Sequence, residues 1–331
     1  MLQRRRLGAS DLEATALGIG AWAIGGTEWG GSDREAAIAG LRAALDAGVN
    51  LIDTAPIYGY GQSEEIVGEA IRGRRDEVIL ATKGGLVWDE AGGEFFFANE
   101  RGKVHRWLGA KTLPRQVEAS LKRLGVETID LYQTHWQDKT TPIEETMEAL
   151  LALRAQGKIR AIGVSNVTPE QLRAYVAAGP VASAQEQFSM LERRHETELF
   201  PICRELGVGV LAYSPLAMGL LTGKLRPGQS FAAGDVRGAS GRFAPDVIAK
   251  VNAFLASLSP IAQAHEATIS QLVLAWTLAS GAVTHVLSGI RNAAQARENV
   301  KAAKIVLTAE EVAEITGKLD GAKLSAPPLY G

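Results

Sequence analysis

The 331-residue sequence carries 35 lysine and arginine residues against 37 aspartate and glutamate residues, and 46% of its residues are hydrophobic. This near balance of charge argues against nucleic acid or an anionic membrane surface as the partner, so we expect a small molecule instead. The single cysteine, Cys203, excludes an internal disulfide and a multi-cysteine metal site, and it fits a reducing compartment. We predict no metal centre.

The amino-terminal stretch does not have the pattern of an export signal. Its basic start, residues 1–6, is followed by Asp11 and Glu13 before any apolar segment begins. No uninterrupted apolar run reaches membrane-spanning length. We therefore expect a cytoplasmic protein that is not inserted in a membrane.

The chain alternates between strand and helix patterns after a predicted hairpin at residues 2–15, whose turn lies at 8–11. The predicted strands are 16–22, 50–55, 78–83, 129–135, 159–165, 183–188, 208–213 and 285–288. The predicted helices are 34–47, 63–73, 113–124, 142–156, 169–178, 196–206, 246–266, 270–279, 293–303 and 308–318. Two long loops are predicted at 84–111 and 216–245, each directly after a strand.

Regular alternation of strands and helices implies a parallel sheet, and eight units imply closure into a (β/α)8 TIM barrel, here a single domain over residues 1–331. An open doubly wound sheet is the competing fold. That fold normally carries a glycine fingerprint after its first strand, but Gly18 and Gly20 are followed by Gly25, which is the wrong spacing. No phosphate-binding P-loop occurs either.

The first long loop is rich in aromatic residues. It contains Trp88, Phe95, Phe96, Phe97 and Trp107. Loops that follow barrel strands lie on the face where barrel enzymes work, and loops of this length are usually functional or disordered. The loop is therefore interpreted as a wall or lid over an apolar pocket, or as packing on the barrel rim.

Polar side chains occur at the ends of three consecutive strands. Asp53 and Tyr58 follow the second strand, Lys83 ends the third and His135 ends the fourth. In a barrel these groups converge. A tyrosine with a pKa near 10 is a poor proton donor unless positive charge stabilises its phenolate, which Lys83 would provide while Asp53 holds the lysine ionised. The alternative is a structural ion pair with capping residues at the strand ends.

Six motifs occur in order along the chain: Asn-Leu-Ile-Asp-Thr-Ala-Pro-Ile-Tyr-Gly at 50–59, Ala-Thr-Lys-Gly at 81–84, Asp-Leu-Tyr-Gln-Thr-His-Trp at 130–136, Ile-Gly-Val-Ser-Asn at 162–166, Ala-Tyr-Ser-Pro-Leu at 212–216 and Gly-Leu-Leu-Thr-Gly-Lys at 219–224. In order and spacing they resemble the aldo-keto reductase family over almost the whole chain. The resemblance implies a nicotinamide-dependent reductase of aldehydes or ketones, with Tyr58 as proton donor and Asp53, Lys83 and His135 completing a catalytic tetrad.

The resemblance also implies a set of cofactor-binding residues. Those assigned to the nicotinamide are Ser165, Asn166 and Gln185 for the carboxamide and Tyr213 for ring stacking. Those assigned to the phosphates and the adenosine are Ser214, Pro215, Leu216, Gly219, Lys224, Gly289, Arg291, Gln295, Glu298 and Asn299. Lys224 could equally be a solvated surface lysine, and Ser165, Asn166 and Tyr213 could serve strand-end capping and core packing.

Two positions depart from the family pattern. Many relatives carry a lysine where Gly289 stands and an arginine where Gln295 stands, both directed at the 2′-phosphate of the cofactor. This chain keeps Arg291 instead, and a guanidinium can bind a phosphate with two parallel hydrogen bonds. The predicted cofactor is therefore NADPH, with NADH also possible.

Three tryptophans are candidate walls of the substrate pocket: Trp22, Trp88 and Trp136. Each could instead pack on the barrel rim. Two other functions remain open, namely a cofactor-sensing regulatory subunit with little turnover, and a barrel lyase or aldolase that uses Lys83 as a Schiff base. No exposed heptad or open sheet edge indicates a protein partner.

Overall fold

A computed structural model describes residues 1–324 and 327 of the chain, and its centre is a closed barrel of eight parallel strands. Within the described residues the strands are β1 (Arg4–Arg6), β2 (Glu13–Thr15), β3 (Leu17–Gly20), β4 (Leu51–Asp53), β5 (Ile79–Gly84), β6 (Leu86–Val87), β7 (Glu94–Asn99), β8 (Gly102–Arg106), β9 (Ile129–Thr134), β10 (Ile159–Ser165), β11 (Ser183–Gln187), β12 (Gly209–Tyr213) and β13 (His285–Gly289). Around the barrel their order is β3, β4, β5, β9, β10, β11, β12, β13. The predicted (β/α)8 fold is confirmed.

Helices surround this barrel. They are α1 (Arg34–Asp46), α2 (Gln62–Ile71), α3 (Leu113–Leu124), α4 (Ile143–Ala155), α5 (Pro169–Ala178), α6 (His195–Glu198), α7 (Phe200–Glu205), α8 (Pro245–Ser257), α9 (Ser259–Ala264), α10 (Ile269–Ala279), α11 (Ala293–Ala302) and α12 (Ala309–Ala322). Most of the buried apolar side chains lie between the helices and the barrel, where the helices cover its outer surface. Threonines with capping boxes begin α5, α10 and α12.

The predicted amino-terminal hairpin is present and closes the bottom of the barrel. β1 and β2 pair antiparallel, with Arg4 opposite Thr15. Leu7 and Leu12 of this hairpin are buried in one apolar cluster with residues from the barrel strands. These barrel residues include Leu51, Ala81, Leu131, Ala161, Leu211 and Leu287. The lower half of the barrel interior is therefore a packed apolar core rather than a channel.

The upper half of the interior is polar because side chains in a strand alternate between its two faces. Leu51 in the apolar layer is followed two residues later by Asp53, and in the same way Ala81 is followed by Lys83 and Leu131 by Gln133. All three polar side chains are buried. Because of this alternation, the side chains of Asp53, Lys83 and Gln133 lie in one layer at the carboxyl end of the barrel.

The prediction of an irregular loop at 84–111 is wrong for much of that stretch. β6, β7 and β8 form a three-stranded antiparallel sheet, with a register shift between Phe95 and Phe97. Phe96 lies on the ring of Trp136 at a centroid distance of 5.4 Å, whereas Phe95 is 55% exposed. The aromatic run is thus one strand of a hairpin that packs one face on the barrel rim.

Two predicted helices are each divided into two helices in the structure, and a proline lies beside each interruption. The predicted helix 196–206 is interrupted between α6 and α7, beside Pro201, and the predicted helix 246–266 is interrupted between α8 and α9, beside Pro260. Proline lacks the amide hydrogen that an uninterrupted helix needs. The long loop 216–245 contains three short 3-10 helices, Ala217–Thr222, Val236–Ala239 and Gly241–Phe243. Among residues 1–324 and 327, no helix is long and apolar enough to cross a membrane.

Candidate active site

The ammonium group of Lys83 is the centre of the polar layer. It donates to Asp53 Oδ1 at 2.5 Å, to the carbonyl oxygen of Thr54 at 3.0 Å and to Tyr58 Oη at 3.2 Å. These three bonds use all three of its N–H donors. A lysine held in this way keeps its proton, which argues against a Schiff-base nucleophile and hence against the lyase and aldolase alternative.

The second carboxylate oxygen of Asp53 accepts from two amides. Gln133 Nε2 donates to Asp53 Oδ2 at 2.9 Å, and Gln185 Nε2 donates to it at 2.8 Å. The buried carboxylate is therefore saturated by one cation and two neutral donors, which is how a buried charge is made tolerable. Gln133 was not identified from the sequence. It lies on β9 two residues after Leu131, so its side chain is on the same inward face of the strand.

The charges in this layer set the protonation of the candidate proton donor. Burial raises the pKa of the Tyr58 phenol well above its usual value near 10, and the negative charges of Asp53 and Glu28 raise it further. The sequence predicted that Lys83 would lower this pKa; burial and two carboxylates outweigh the nearby ammonium. Burial also lowers the pKa of Lys83, and the negative charge of Asp53 opposes that decrease. Tyr58 therefore keeps its proton at a position next to the Lys83 ammonium group.

His135 lies next to Tyr58, with ring centroids 5.7 Å apart and planes nearly perpendicular. Burial lowers the pKa of His135 well below its usual 6.5, and the positive charge of Lys83 lowers it further. The imidazole is therefore neutral near pH 7. A neutral imidazole can orient an oxygen by hydrogen bonding without competing with Tyr58 as the acid.

Asn166 joins the tetrad to the neighbouring strands. Its Nδ2 donates to the carbonyl oxygen of His135 at 2.9 Å and to Ser165 Oγ at 3.0 Å, while Tyr213 Oη donates to its Oδ1 at 2.9 Å. Its backbone is left-handed, with φ of 55°. Ser165 Oγ in turn donates to the carbonyl oxygen of Gln185 at 2.7 Å. Four residues predicted to bind the nicotinamide thus form one hydrogen-bonded group.

An elongated cavity of about 360 Å³ begins at Tyr58 and Trp22 and continues to the amino-terminal end of α11. Most of the predicted cofactor-binding residues line it: Gln185, Tyr213, Ser214, Pro215, Leu216, Gly219, Lys224, Gly289, Arg291, Gln295, Glu298 and Asn299. Its volume is within the range of small-molecule sites. The structure therefore brings most of the candidate residues of both groups to one cavity, whereas Ser165 and Asn166 are not among the residues that line it.

Two of the three cations that line the cavity, Arg291 and Lys224, lie at its outer end beside α11. Arg291 donates to the carbonyl oxygens of Gly31 at 2.5 Å and Trp29 at 3.4 Å, whereas Lys224 pairs with Glu298 at 2.9 Å. Residues further along α11 are held by their own bonds. The amide of Arg291 donates to Gln295 Oε1, and Asn299 Nδ2 donates to the carbonyl oxygen of Gly289 at 3.1 Å.

A buried hydroxyl provides an independent test of whether a polar ligand fits this cavity. Ser270 is 2% exposed and lines the cavity, and its Oγ has no hydrogen-bond partner among the described residues. A buried hydroxyl without a partner is costly. A ligand with phosphate or ribose oxygens at this end would satisfy it, so the donor set fits a dinucleotide.

The wall beside Tyr58 is aromatic. Trp22 meets Trp29 edge to face at 5.1 Å, lies 6.4 Å from the ring of Tyr58, and donates from Nε1 to Glu28 Oε2 at 2.7 Å. Trp29 and Glu28 were missed because the loop after β3 has no strand or helix periodicity. Of the other two candidate tryptophans, Trp136 packs on Phe96 and Trp88 packs on Tyr60, and neither lines the cavity.

Arg237 is a further residue that the sequence did not indicate. Its guanidinium lies 5.0 Å from the ring of Trp29, pairs with Asp235 at 2.7 Å and lines the cavity. Trp29 and Asp235 are also joined by a β-bridge. The loop after β3 and the long loop after β12 therefore meet across the cavity.

Known proteins are similar to this chain in sequence and in fold. The model of the aldo/keto reductase family matches residues 16–320. A protein of Escherichia coli K12 named NADH-specific methylglyoxal reductase is 40% identical over 308 residues, covering 91% of this chain and 94% of the relative. The aldo-keto reductase YhdN of Bacillus subtilis is 37% identical over 329 residues, covering 96% of each chain. A glycerol dehydrogenase of Gluconobacter oxydans has a TM-score of 0.86 at 35% identity, covering 99% of this chain and 98% of that one.

Proposed function

Because the chain belongs to the aldo/keto reductase family and is an NAD(P)H-dependent oxidoreductase, we propose that it reduces an aldehyde or ketone to an alcohol with Tyr58 as proton donor and NADPH as preferred cofactor. The observation that carries the proposal is the 3.2 Å contact between Lys83 Nζ and Tyr58 Oη at one end of the cavity that continues to Arg291. Bound NADPH would supply the hydride.

Each residue of the tetrad has one task in this proposal. Neutral His135 donates a hydrogen bond to the carbonyl oxygen and orients it toward Tyr58. Tyr58 gives its proton to that oxygen, because the alkoxide formed by reduction is a stronger base than phenolate. Lys83 stabilises the phenolate left behind, and Asp53 keeps Lys83 ionised and in position.

We base the proposed preference for NADPH on the outer end of the cavity. Arg291 presents a guanidinium there, and its side-chain acceptors among the described residues are backbone carbonyls, which the 2′-phosphate that NADPH carries and NADH lacks would outcompete as a charged acceptor. The name of the relative from E. coli specifies NADH, so both nicotinamide cofactors belong in the test.

The test is oxidation of NADPH by purified protein with a reactive aromatic aldehyde and, because of that relative, with methylglyoxal. Tyr58→Phe removes the proton donor and little volume, and should lower kcat by at least about 100-fold while NADPH still binds. Tyr60→Phe is the matched control, because Tyr60 lies in the same loop and its hydroxyl contacts only Asn99 among the described residues.

Two results would overturn the proposal. One is a Tyr58→Phe enzyme with the kcat of the wild type, which would remove the role of the phenol. The other is tight NADPH binding with no turnover across a broad panel of carbonyl compounds, which would favour the cofactor-sensing alternative.

A further inference from the structure

Glu186 is a buried carboxyl group to which the proposed reaction assigns no task. It lies on β11, one residue after Gln185, and is 2% exposed. Because side chains alternate along a strand, Gln185 points into the barrel at Asp53 and Glu186 points outward, toward the helices. A buried carboxyl group is costly unless its oxygens are used.

The contacts of Glu186 show where its oxygens are used. Its Oε1 accepts from the backbone amide of Val167 at 3.0 Å, and its Oε2 lies 3.7 Å from His195 Nε2. Burial lowers the pKa of His195 to about 4 and raises the pKa of Glu186 to about 8, so this imidazole does not supply a compensating charge near pH 7. Among the described residues, the short hydrogen bond of the carboxyl group is therefore the one from the Val167 amide, and the backbone amide of Asn166 in the same turn also favours its ionised form.

That turn carries Asn166, whose backbone conformation is uncommon. Its φ of 55° belongs to the left-handed region, which asparagine adopts more readily than most residues other than glycine and which neighbouring contacts help to fix. The same residue holds the His135 carbonyl oxygen, Ser165 and Tyr213 through its side chain. Glu186 thus fixes, from outside the barrel, the turn that carries Asn166.

We propose that Glu186 is a positioning residue for the nicotinamide, acting through its bond to the Val167 amide to hold the Asn166 side chain in register with Ser165 and Tyr213. This inference rests on the proposed function. Without the acceptor, the left-handed turn relaxes and the Asn166 amide moves from its partners. Cofactor binding then weakens, whereas the aromatic wall that receives the carbonyl compound, around Trp22 and Trp29, is unchanged.

The test compares Glu186→Met, which removes the acceptor at similar volume, with Glu186→Gln, which keeps an acceptor oxygen at the same place. Glu186→Met should raise the Kd for NADPH, measured by fluorescence titration, at least about tenfold, with the KM of the carbonyl substrate unchanged. Glu186→Gln should restore the Kd of the wild type. Cys203→Ala is the control, because Cys203 is buried near Glu186 and, among the described residues, its thiol makes no hydrogen bond to the turn; it should lower the Tm and leave the Kd unchanged.

Each outcome decides between the claims. Wild-type Kd in folded Glu186→Met overturns the positioning role, even if the Tm falls. If Glu186→Met does not fold, Glu186→Asp keeps the carboxyl group but withdraws the acceptor by one methylene, and it should show the same rise in Kd. Failure of the wild type to bind either nicotinamide cofactor would instead overturn the proposed function, so the two failures are distinguishable.

Discussion

The ammonium nitrogen of Lys83 lies 3.2 Å from the phenol oxygen of Tyr58 in a pocket where burial keeps that phenol protonated. The ammonium cannot turn away without losing a bond to Asp53 or Thr54. In the proposed reaction the cation would therefore be in place before the phenolate forms, so no reorganisation would be needed when the proton leaves. Such fixed charge is the arrangement expected of a site that stabilises a developing anion.

The ion pair of Lys83 and Asp53 should be separable from folding. Lys83→Met alone leaves Asp53 buried without its cation and should destabilise the fold by about 3–5 kcal/mol. Adding Asp53→Asn removes that charge and should recover most of the stability, while kcat stays at least about 100-fold below that of the wild type. Urea unfolding and steady-state kinetics of the single and double variants measure this. Activity in the stable double variant would show that the pair is only structural.

Arg291→Ala should change the choice between cofactors. Loss of a charge-assisted hydrogen bond to a phosphate is worth about 1.5–3 kcal/mol, so the ratio of NADPH affinity to NADH affinity should fall at least about tenfold. Arg297→Ala is the matched control, since Arg297 lies on α11, the helix that begins two residues after Arg291, is exposed and does not line the cavity. An unchanged ratio in Arg291→Ala would refute the assignment of Arg291 to the 2′-phosphate.

Gly289→Lys should have the opposite effect. A side chain at this position would meet nothing within 4 Å, and Gly289 lines the outer end of the cavity. A lysine there adds a cation to those of Arg291, Lys224 and Arg237 and should raise the affinity for NADPH several-fold, with little effect on NADH. Paired titrations of the two cofactors at low and high salt check this, because the gain must shrink as salt screens the charge.

The sequence was sufficient for the barrel and for the residues at its strand ends. Alternation of strands and helices is a local pattern, and the carboxyl ends of parallel strands meet at one edge of the barrel. The sequence alone therefore predicts that Asp53, Lys83 and His135 lie close together. Gln133 could have been found by the same rule, because it alternates with Leu131 on β9. The contacts that define the polar layer then followed from the pleat.

Features that depend on contacts between distant loops could not be predicted. The loop after β3 has no periodicity, and the position of Trp29 follows from its bridge to Asp235 and the guanidinium of Arg237, about 200 residues away in sequence. The hairpin of β7 and β8 has a local signal, an aromatic run followed by Gly102, but its packing on Trp136 is tertiary. Likewise, the rise in the pKa of Tyr58 reflects its burial, which sequence spacing does not give.

Glu28 should act on both the substrate wall and the proton donor. Glu28→Gln keeps an acceptor for Trp22 Nε1 but removes a negative charge that raises the pKa of Tyr58. The alkaline limb of the kcat/KM profile should therefore move to lower pH, with KM near that of the wild type. Glu28→Leu removes the acceptor as well and should raise the KM for a bulky aldehyde several-fold. Identical pH profiles for wild type and Glu28→Gln would refute the electrostatic part.

Two buried histidines should make the fold sensitive to acid. Burial lowers the pKa of His195 and His285 to about 4, whereas an unfolded histidine has a pKa near 6.5. Between these values the unfolded chain binds protons that the native protein does not. The contribution of these residues to stability is therefore present above pH 6.5 and is lost as the pH falls toward 4.

His285→Gln should reduce that loss. His285 lies at the start of β13, against Thr284 and the carbonyl oxygen of Arg5, and glutamine can bond there without titrating. From pH 7 to pH 5 the variant should lose about 2 kcal/mol less of its free energy of unfolding than the wild type. Urea unfolding at pH 5 and 7 measures the difference, and unfolding at pH 9 is the internal control because both imidazoles are neutral there in the folded and unfolded states. Equal losses in the two proteins would mean that His285 is not the group that titrates on unfolding.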